Sequence, residues 1–202
     1  MNITAITVCI DFCKWLKKCI SNKELLSRWI IVTHASDLET INFCKDNNIE
    51  YILSKRIFVG DSLFAKGKAI NEALNQITNV EYILSLDADI LLPSNFNEIL
   101  SNCVHDKSYL YGSRRYDHRD KCIQQDSHNN KIMPYGFFQL WHTSQKREYS
   151  EISDNAIVDD WAFSLSFKEK TEILPLKCKN TFEGVGYDKR TYNGLRNINY
   201  IK

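Results

Sequence analysis

The chain has 202 residues, 44% hydrophobic and 25% charged, with a formal net charge of +1. That length can bury a sizeable core, and the composition suits one globular domain spanning 1–202. A charge so near neutral excludes a global field for nucleic acid, and no apolar run reaches the length of a transmembrane segment.

Taken in order, "ITAITVCI" predicts a first strand, and "DFCKWLKKCI" a helix with Phe12, Trp15 or Leu16, and Cys19 on one face. "RWIIVTH" predicts a second strand. "SDLETINFCKDNN" predicts a helix capped by Ser36, with Glu39 three residues on in the capping-box pattern. "IEYIL" is a third strand, "SLFAKGKAINEALNQI" contains a third helix, and "EYILSLDADILLP" supplies the fourth strand. This alternation predicts an α/β fold: a Rossmann-type α/β/α sandwich on a mostly parallel sheet with right-handed crossovers.

After a helix at 94–103 the pattern changes. "SYLYGS" predicts a strand, "RRYDHRDKCIQQDSHNN" a polar loop or hairpin, and "KIMPYGFFQLWH" a long bent strand. "DNAIVDDWAFSLSFKEK" predicts a helix behind an acidic turn, and "TEILPLKC" a last strand. The chain thus divides into a nucleotide-type half at 1–93, an elaborated half at 94–176 and a C-terminal segment at 177–202. That last segment carries six Lys or Arg against Glu183 and Asp188, enough to solvate a tail or to close over an anionic ligand.

The fourth strand ends in two aspartates, Asp87 and Asp89, inside an apolar run. A short unbroken apolar run suits a strand covered on both faces, and ligands of open α/β sheets bind at the carboxyl ends of strands. Two like charges buried together are costly, and a hard divalent cation such as Mg²⁺ or Mn²⁺ removes that cost. The alternative is that the acids cap the next helix or lie in a solvated turn.

Seven cysteines are scattered without a C-x-x-C pair, the pattern of reduced thiols in a cytosol-like compartment. In the N-terminal stretch Asp11 and Lys14 interrupt the apolar part, so no signal peptide is expected and a cytoplasmic location is.

Three segments together resemble the GT-A glycosyltransferases, particularly the inverting family 2 enzymes. "LSLDADILLP" looks like their strand-terminal D-x-D, "FAKGKAINEAL" like the helix that precedes it, and "VDDWAFSLSF" like the acidic motif opening a late helix. Their order fits, with Lys68 19 residues before Asp87 and Asp160 71 residues after Asp89.

The resemblance implies a metal-dependent transferase that moves a sugar from a UDP- or GDP-type donor to a hydroxyl of a glycan, lipid-linked or protein acceptor, with inversion. It implies Asp160 as catalytic base, with Asp159 and Trp161 toward the acceptor. On the donor side it implies Ile10, Asp11, Thr33, Lys68, Asp87 and Ala88, and a metal on Asp87 and Asp89. Lys66 is a second candidate cation, although either lysine could simply solvate a helix face. Trp161 could stack on a sugar or belong to the core.

The sequence departs from the family at two points. Thr33 and His34 stand where an acidic pair is common, and the late histidine ligand is missing, leaving Glu183, Cys178, or diphosphate and water to complete the metal's shell. A degenerate domain that binds a glycan or partner without turnover is therefore an alternative. A D-x-D phosphatase would carry the motif on its first strand, and a nucleotidyltransferase would announce a glycine-rich loop near its start.

Overall fold

The computed structural model describes residues 1–57, 64–123, 133–151, 156–168 and 170–182. Glu183 and most of the basic C-terminal segment lie outside the described residues.

Among the described residues eight strands form one sheet: β1 (Ile3–Val8), β2 (Arg28–Thr33), β3 (Glu50–Leu53), β4 (Tyr82–Leu86), β5 (Ile90–Leu91), β6 (Leu110–Tyr116), β7 (Phe138–His142) and β8 (Thr171–Asn180). Their order is β3-β2-β1-β4-β7-β6-β8-β5. The first four pair in parallel, as the alternating sequence predicts. β7 then runs antiparallel to both β4 and β6, and β8 returns parallel to β6. The architecture is a mixed, mostly parallel α/β sheet flanked by helices.

Among the described residues five α-helices cover the sheet: α1 (Cys13–Lys18), α2 (Leu38–Asp46), α3 (Lys66–Leu74), α4 (Phe96–Cys103) and α5 (Ala156–Leu165). Because successive strand residues point to opposite faces, the unbroken apolar strands feed two cores. Ala5, Ile31, Leu84 and Leu140 pack with Leu16, Phe43, Phe96 and Leu100 on one side. Ile6, Val32, Ile83 and Trp141 pack with Ala69, Ile70, Ala73 and Phe163 on the other. α3 and α5 are therefore neighbours on the second face, above the strand that ends in Asp87.

Four local expectations are corrected. The cap of α2 is Asp37 instead of Ser36: one Asp37 carboxylate oxygen accepts from Thr40 N at 3.1 Å and the other from Asp11 N at 2.9 Å. The two oxygens of the carboxylate let it serve the helix end and the neighbouring loop at once. Ser36 Oγ instead lies 2.6 Å from His34 Nδ1. Arg114, Arg115 and Tyr116, expected in a polar loop, continue β6.

Residues 131 and 132 of the strand expected at 131–142 lie outside the described residues, and within 133–142 the strand is limited to Phe138–His142. Pro134 offers no N–H to a ladder, and its carbonyl accepts from the Gln139 and Ser164 side chains. Ile90–Leu91, expected to extend the fourth strand, forms a separate short strand against β8.

Candidate active site at the carboxyl edge of the sheet

Strand β4 delivers Asp87 and Asp89 to the carboxyl edge, where the chain turns: Asp87 N donates to Phe137 O, and Ile90 N donates back to Asp87 O. Both carboxylates meet a buried cation. Lys66 Nζ donates to Asp87 Oδ1 at 2.8 Å, and Arg115 Nη2 donates to Asp89 Oδ2 at 2.9 Å. The Arg115 guanidinium also sits 5.5 Å from the centre of the Phe137 ring. Low-dielectric surroundings make such pairs strong electrostatically and costly to break.

Lys66 is the hub. It opens α3 and sends its ammonium beneath α5, where Nζ also donates to Gly136 O at 2.9 Å and to Asp160 Oδ2 at 3.1 Å. Its side chain is only 6% exposed. The carboxylates of Asp160 and Asp87 hold the Lys66 pKa well above its ordinary value despite burial, so the charge is permanent. Lys68, preferred from the sequence, is half-buried, and its charge is felt by Glu151. Two residues apart on a helix cannot face the same way, and the start of α3 decides which lysine turns inward.

Asp160 lies in α5 against the loop before β7. A Cβ on Gly136 would overlap the Asp160 carboxyl, so glycine there is a condition of the approach. Burial pushes the Asp160 carboxyl up to about 7, Lys66 pulls it down, and the charges of Asp87 and Asp159 add to the rise. Its second oxygen, Oδ1, is buried and has no hydrogen-bond partner among the described residues. A carboxyl whose pKa burial raises, and whose second oxygen has no hydrogen-bond partner among the described residues, is equipped to take a proton from a group brought against it.

Behind it, Gln139 Nε2 on β7 donates to Asp160 O at 3.0 Å and to Ser164 Oγ at 2.8 Å, and Gln139 Oε1 accepts from Tyr149 OH. Tyr149 stacks on Phe163 with ring centres 4.1 Å apart. This network ties α5 to the sheet.

The other expected site residues separate into groups. Asp159 is fully buried and accepts from Gly67 N at 3.2 Å, supplying an acidic partner to the α3 N-terminus instead of facing solvent. Trp161 is half-exposed beside Asp160. Ile10, Thr33 and Ala88 are buried, with the Thr33 hydroxyl donating to Asp37. Asp11 is exposed and left-handed, with φ 51°. Asp11 and Thr33 share Asp37 at the ends of β1 and β2. Arg115 reads as loop in the sequence and Gln139 as an ordinary strand residue, and neither shows a site role until its buried partners are known.

Carboxylate oxygens are the donor type that Mg²⁺ and Mn²⁺ prefer, so Asp87 and Asp89 fit such a cation in kind. Among the described residues no group of three His, Cys, Asp or Glu converges on one point. A cation there would share its shell with diphosphate oxygens and water, as Mg²⁺ does at many phosphate sites.

Neither a known protein family nor any curated protein matches the sequence. Solved structures do. A mannosyltransferase, PcManGT from Pyrobaculum calidifontis, in complex with GDP-Man and Mn²⁺, is similar over 96% of this chain with a TM-score of 0.61 and 15% identity. This chain spans 59% of that protein's length. Glucosyl-3-phosphoglycerate synthase from Mycobacterium tuberculosis, in complex with phosphoglyceric acid, is similar over 93% of this chain and 74% of its own, with a TM-score of 0.65 and 10% identity.

The 4-diphosphocytidyl-2C-methyl-D-erythritol synthase from Anaerococcus prevotii is similar over 99% of this chain and 98% of its own, with a TM-score of 0.52 and 10% identity. The fold common to these similarities is the GT-A-like fold, and this chain adopts it.

Proposed function

We propose that this protein is a glycosyltransferase that moves a sugar from a UDP- or GDP-type donor to an acceptor hydroxyl with inversion, Asp160 acting as the base. The observation that carries the reading is the convergence of Asp87, Lys66 and Asp160 at the carboxyl edge of a GT-A-like sheet. The donor half at 1–93 contributes the edge around Asp11, Thr33 and Asp37, and the half at 94–176 contributes the base and Trp161.

In this mechanism the Asp160 carboxylate takes the acceptor hydroxyl's proton as that oxygen bonds to C1 of the sugar, and the buried Oδ1 must become exposed for the acceptor to reach it. The bond from C1 to the diphosphate breaks on the opposite face, which inverts the anomer. Proton removal by a positioned carboxylate is worth about 10²–10⁴-fold. Asp87 and Asp89 would hold Mg²⁺ or Mn²⁺, which when bound neutralises charge on the departing diphosphate. The permanent charges of Lys66 and Arg115 lie on the same two aspartates. Trp161 offers an exposed ring beside the base for the acceptor, and Asp159 supports the site by holding α3.

A thermal-shift panel of UDP- and GDP-sugars with and without Mn²⁺ tests the reading. A true donor at 100 times its dissociation constant adds about 2.7 kcal/mol of stability, and the shift should weaken without the metal. A panel in which no nucleotide sugar stabilises the protein refutes it.

One observation favours a second reading, a glycan- or partner-binding module without turnover: Asp89, the expected metal ligand, is ion-paired to a buried arginine. Donor stabilisation without transfer to any acceptor would select it. A nucleotidyltransferase is less well supported, because the turn after β1, Cys9 to Phe12, contains no glycine to cradle a triphosphate.

A further inference from the structure

Lys66 has three ammonium protons and three acceptors on three separate parts of the chain: Asp87 at the end of β4, Gly136 in the loop before β7, and Asp160 in α5. Every donor position of the ammonium is used. An anion arriving beside Asp87 can therefore bond this ammonium only by loosening one of the three existing bonds. The aspartate on the donor side and the carboxylate proposed as base share one cation and cannot change independently.

We propose that Lys66 is a positioning residue that locks the Asp87 and Asp160 carboxylates to one ammonium, so that occupation of the donor side is transmitted to the proton acceptor. The proposal rests on the reading of Asp160 as the base and deepens it.

The packing around Asp160 fixes the sign of the effect. Lys66 from α3 is the positive group facing it. Asp87 from the sheet edge and Asp159 from its own helix are negative, the Tyr149 phenol approaches from the segment between β7 and α5, and the Gly136 carbonyl shares the ammonium. Burial, Asp87 and Asp159 all favour the protonated carboxyl, and Lys66 opposes them. The ammonium also supplies the hydrogen bond to Asp160 Oδ2, so removing it takes away both influences that favour the ionised carboxylate. An arginine at this position retains the charge with a wider head, and a methionine retains only the stem.

The test follows the carboxyl groups directly in the full chain. Aspartates are labelled with ¹³C at Cγ, the Asp160 resonance is assigned with D160N, and its ionisation is followed by NMR in wild type, K66M, K66R and D87N. Asp160 should ionise near neutrality in wild type and at least about one pH unit higher in K66M, a tenfold loss of ionised base at a given pH. K66R should restore most of the difference, and D87N should move the ionisation downward by removing a like charge.

Unchanged Asp160 ionisation in folded K66M overturns the proposal, and so does failure of K66R to restore it. Should K66M not fold by circular dichroism, D87N decides: an Asp160 resonance that titrates as in wild type refutes the shared cation.

Transmission is tested by adding UDP or GDP with Mg²⁺. The Asp87 and Asp160 resonances should move together in wild type, and movement of Asp87 alone sinks the coupling. The titrations need no donor. A Lys66-dependent Asp160 in a protein that binds neither nucleotide would therefore support the positioning role while removing the donor reading.

Discussion

The two aspartates of the turn after β4 stand one residue apart and live in different surroundings. Asp87 shares Lys66 with Asp160 and Gly136, and its side chain is 21% exposed. Asp89 meets Arg115 beneath the β5–β8 pairing, where its own backbone carbonyl accepts from Thr181 N. The first cluster joins four parts of the chain: the start of α3, the end of β4, the loop before β7 and α5. The second fastens the turn to β6 and β8, as a fold requires. Identical carboxylates in one turn thus differ in what their partner cation also touches.

The largest effect should come from the shared cluster. D160N keeps the shape of the side chain and removes the basic oxygen, so sugar transfer should fall about 10²–10⁴-fold with donor binding retained. Single-turnover transfer measured beside donor affinity checks this, and normal transfer would place the base elsewhere.

The scaffold cluster should answer in stability instead. R115M leaves the Asp89 charge buried and should cost about 3–5 kcal/mol in urea unfolding, with part recovered in the double variant R115M/D89N. A cost below about 1 kcal/mol would show that Asp89 is solvated and would erase the distinction between the clusters.

The clusters should also part company in pH. Folding raises the Asp160 carboxyl from its ordinary 3.8 to about 7, so between those values the folded chain keeps a proton that the unfolded chain has released. Asp160 therefore contributes stability that is present in full below pH 4 and lost as pH rises through 7. Urea midpoints across that window should decline in wild type more than in D160N. Equal slopes would mean that Asp160 does not titrate where its burial places it.

Smaller again is the steric term. G136A puts a methyl group where the Asp160 carboxyl lies and should cost about 1–3 kcal/mol, with transfer falling further than stability explains. The least effect belongs to a site outside both clusters: D37A removes the α2 cap and should cost about 1–2 kcal/mol. A larger loss of nucleotide affinity than of stability in D37A would bring that edge into the donor site.

The parallel half was legible because its signals are local. Apolar runs, helical spacing and turn residues in 1–93 repeat a simple order, and the chain has no cheaper way to cover strands such as Ile3–Val8 than with helices on both faces. The second half was less legible because its strands carry polar residues whose partners are far away in sequence. Arg115 looks like loop until Asp89 is beside it, the part Gln139 plays in its strand shows only when Tyr149, Ser164 and Asp160 surround it, and Pro134 shortened a strand that its apolar neighbours suggested.

The sequence by itself determined the order of elements and brought Asp87, Asp89 and Asp160 forward, because each lies in a short pattern at the end or start of an element. Tertiary structure alone decided that Lys66 turns inward to Asp87 and Asp160, that Asp159 turns into the fold, and that Asp89 meets an arginine. A lysine becomes a buried counter-ion only when helix packing points it at a carboxylate. That direction depends on where α3 begins and how α5 crosses it, which no window of neighbouring residues contains.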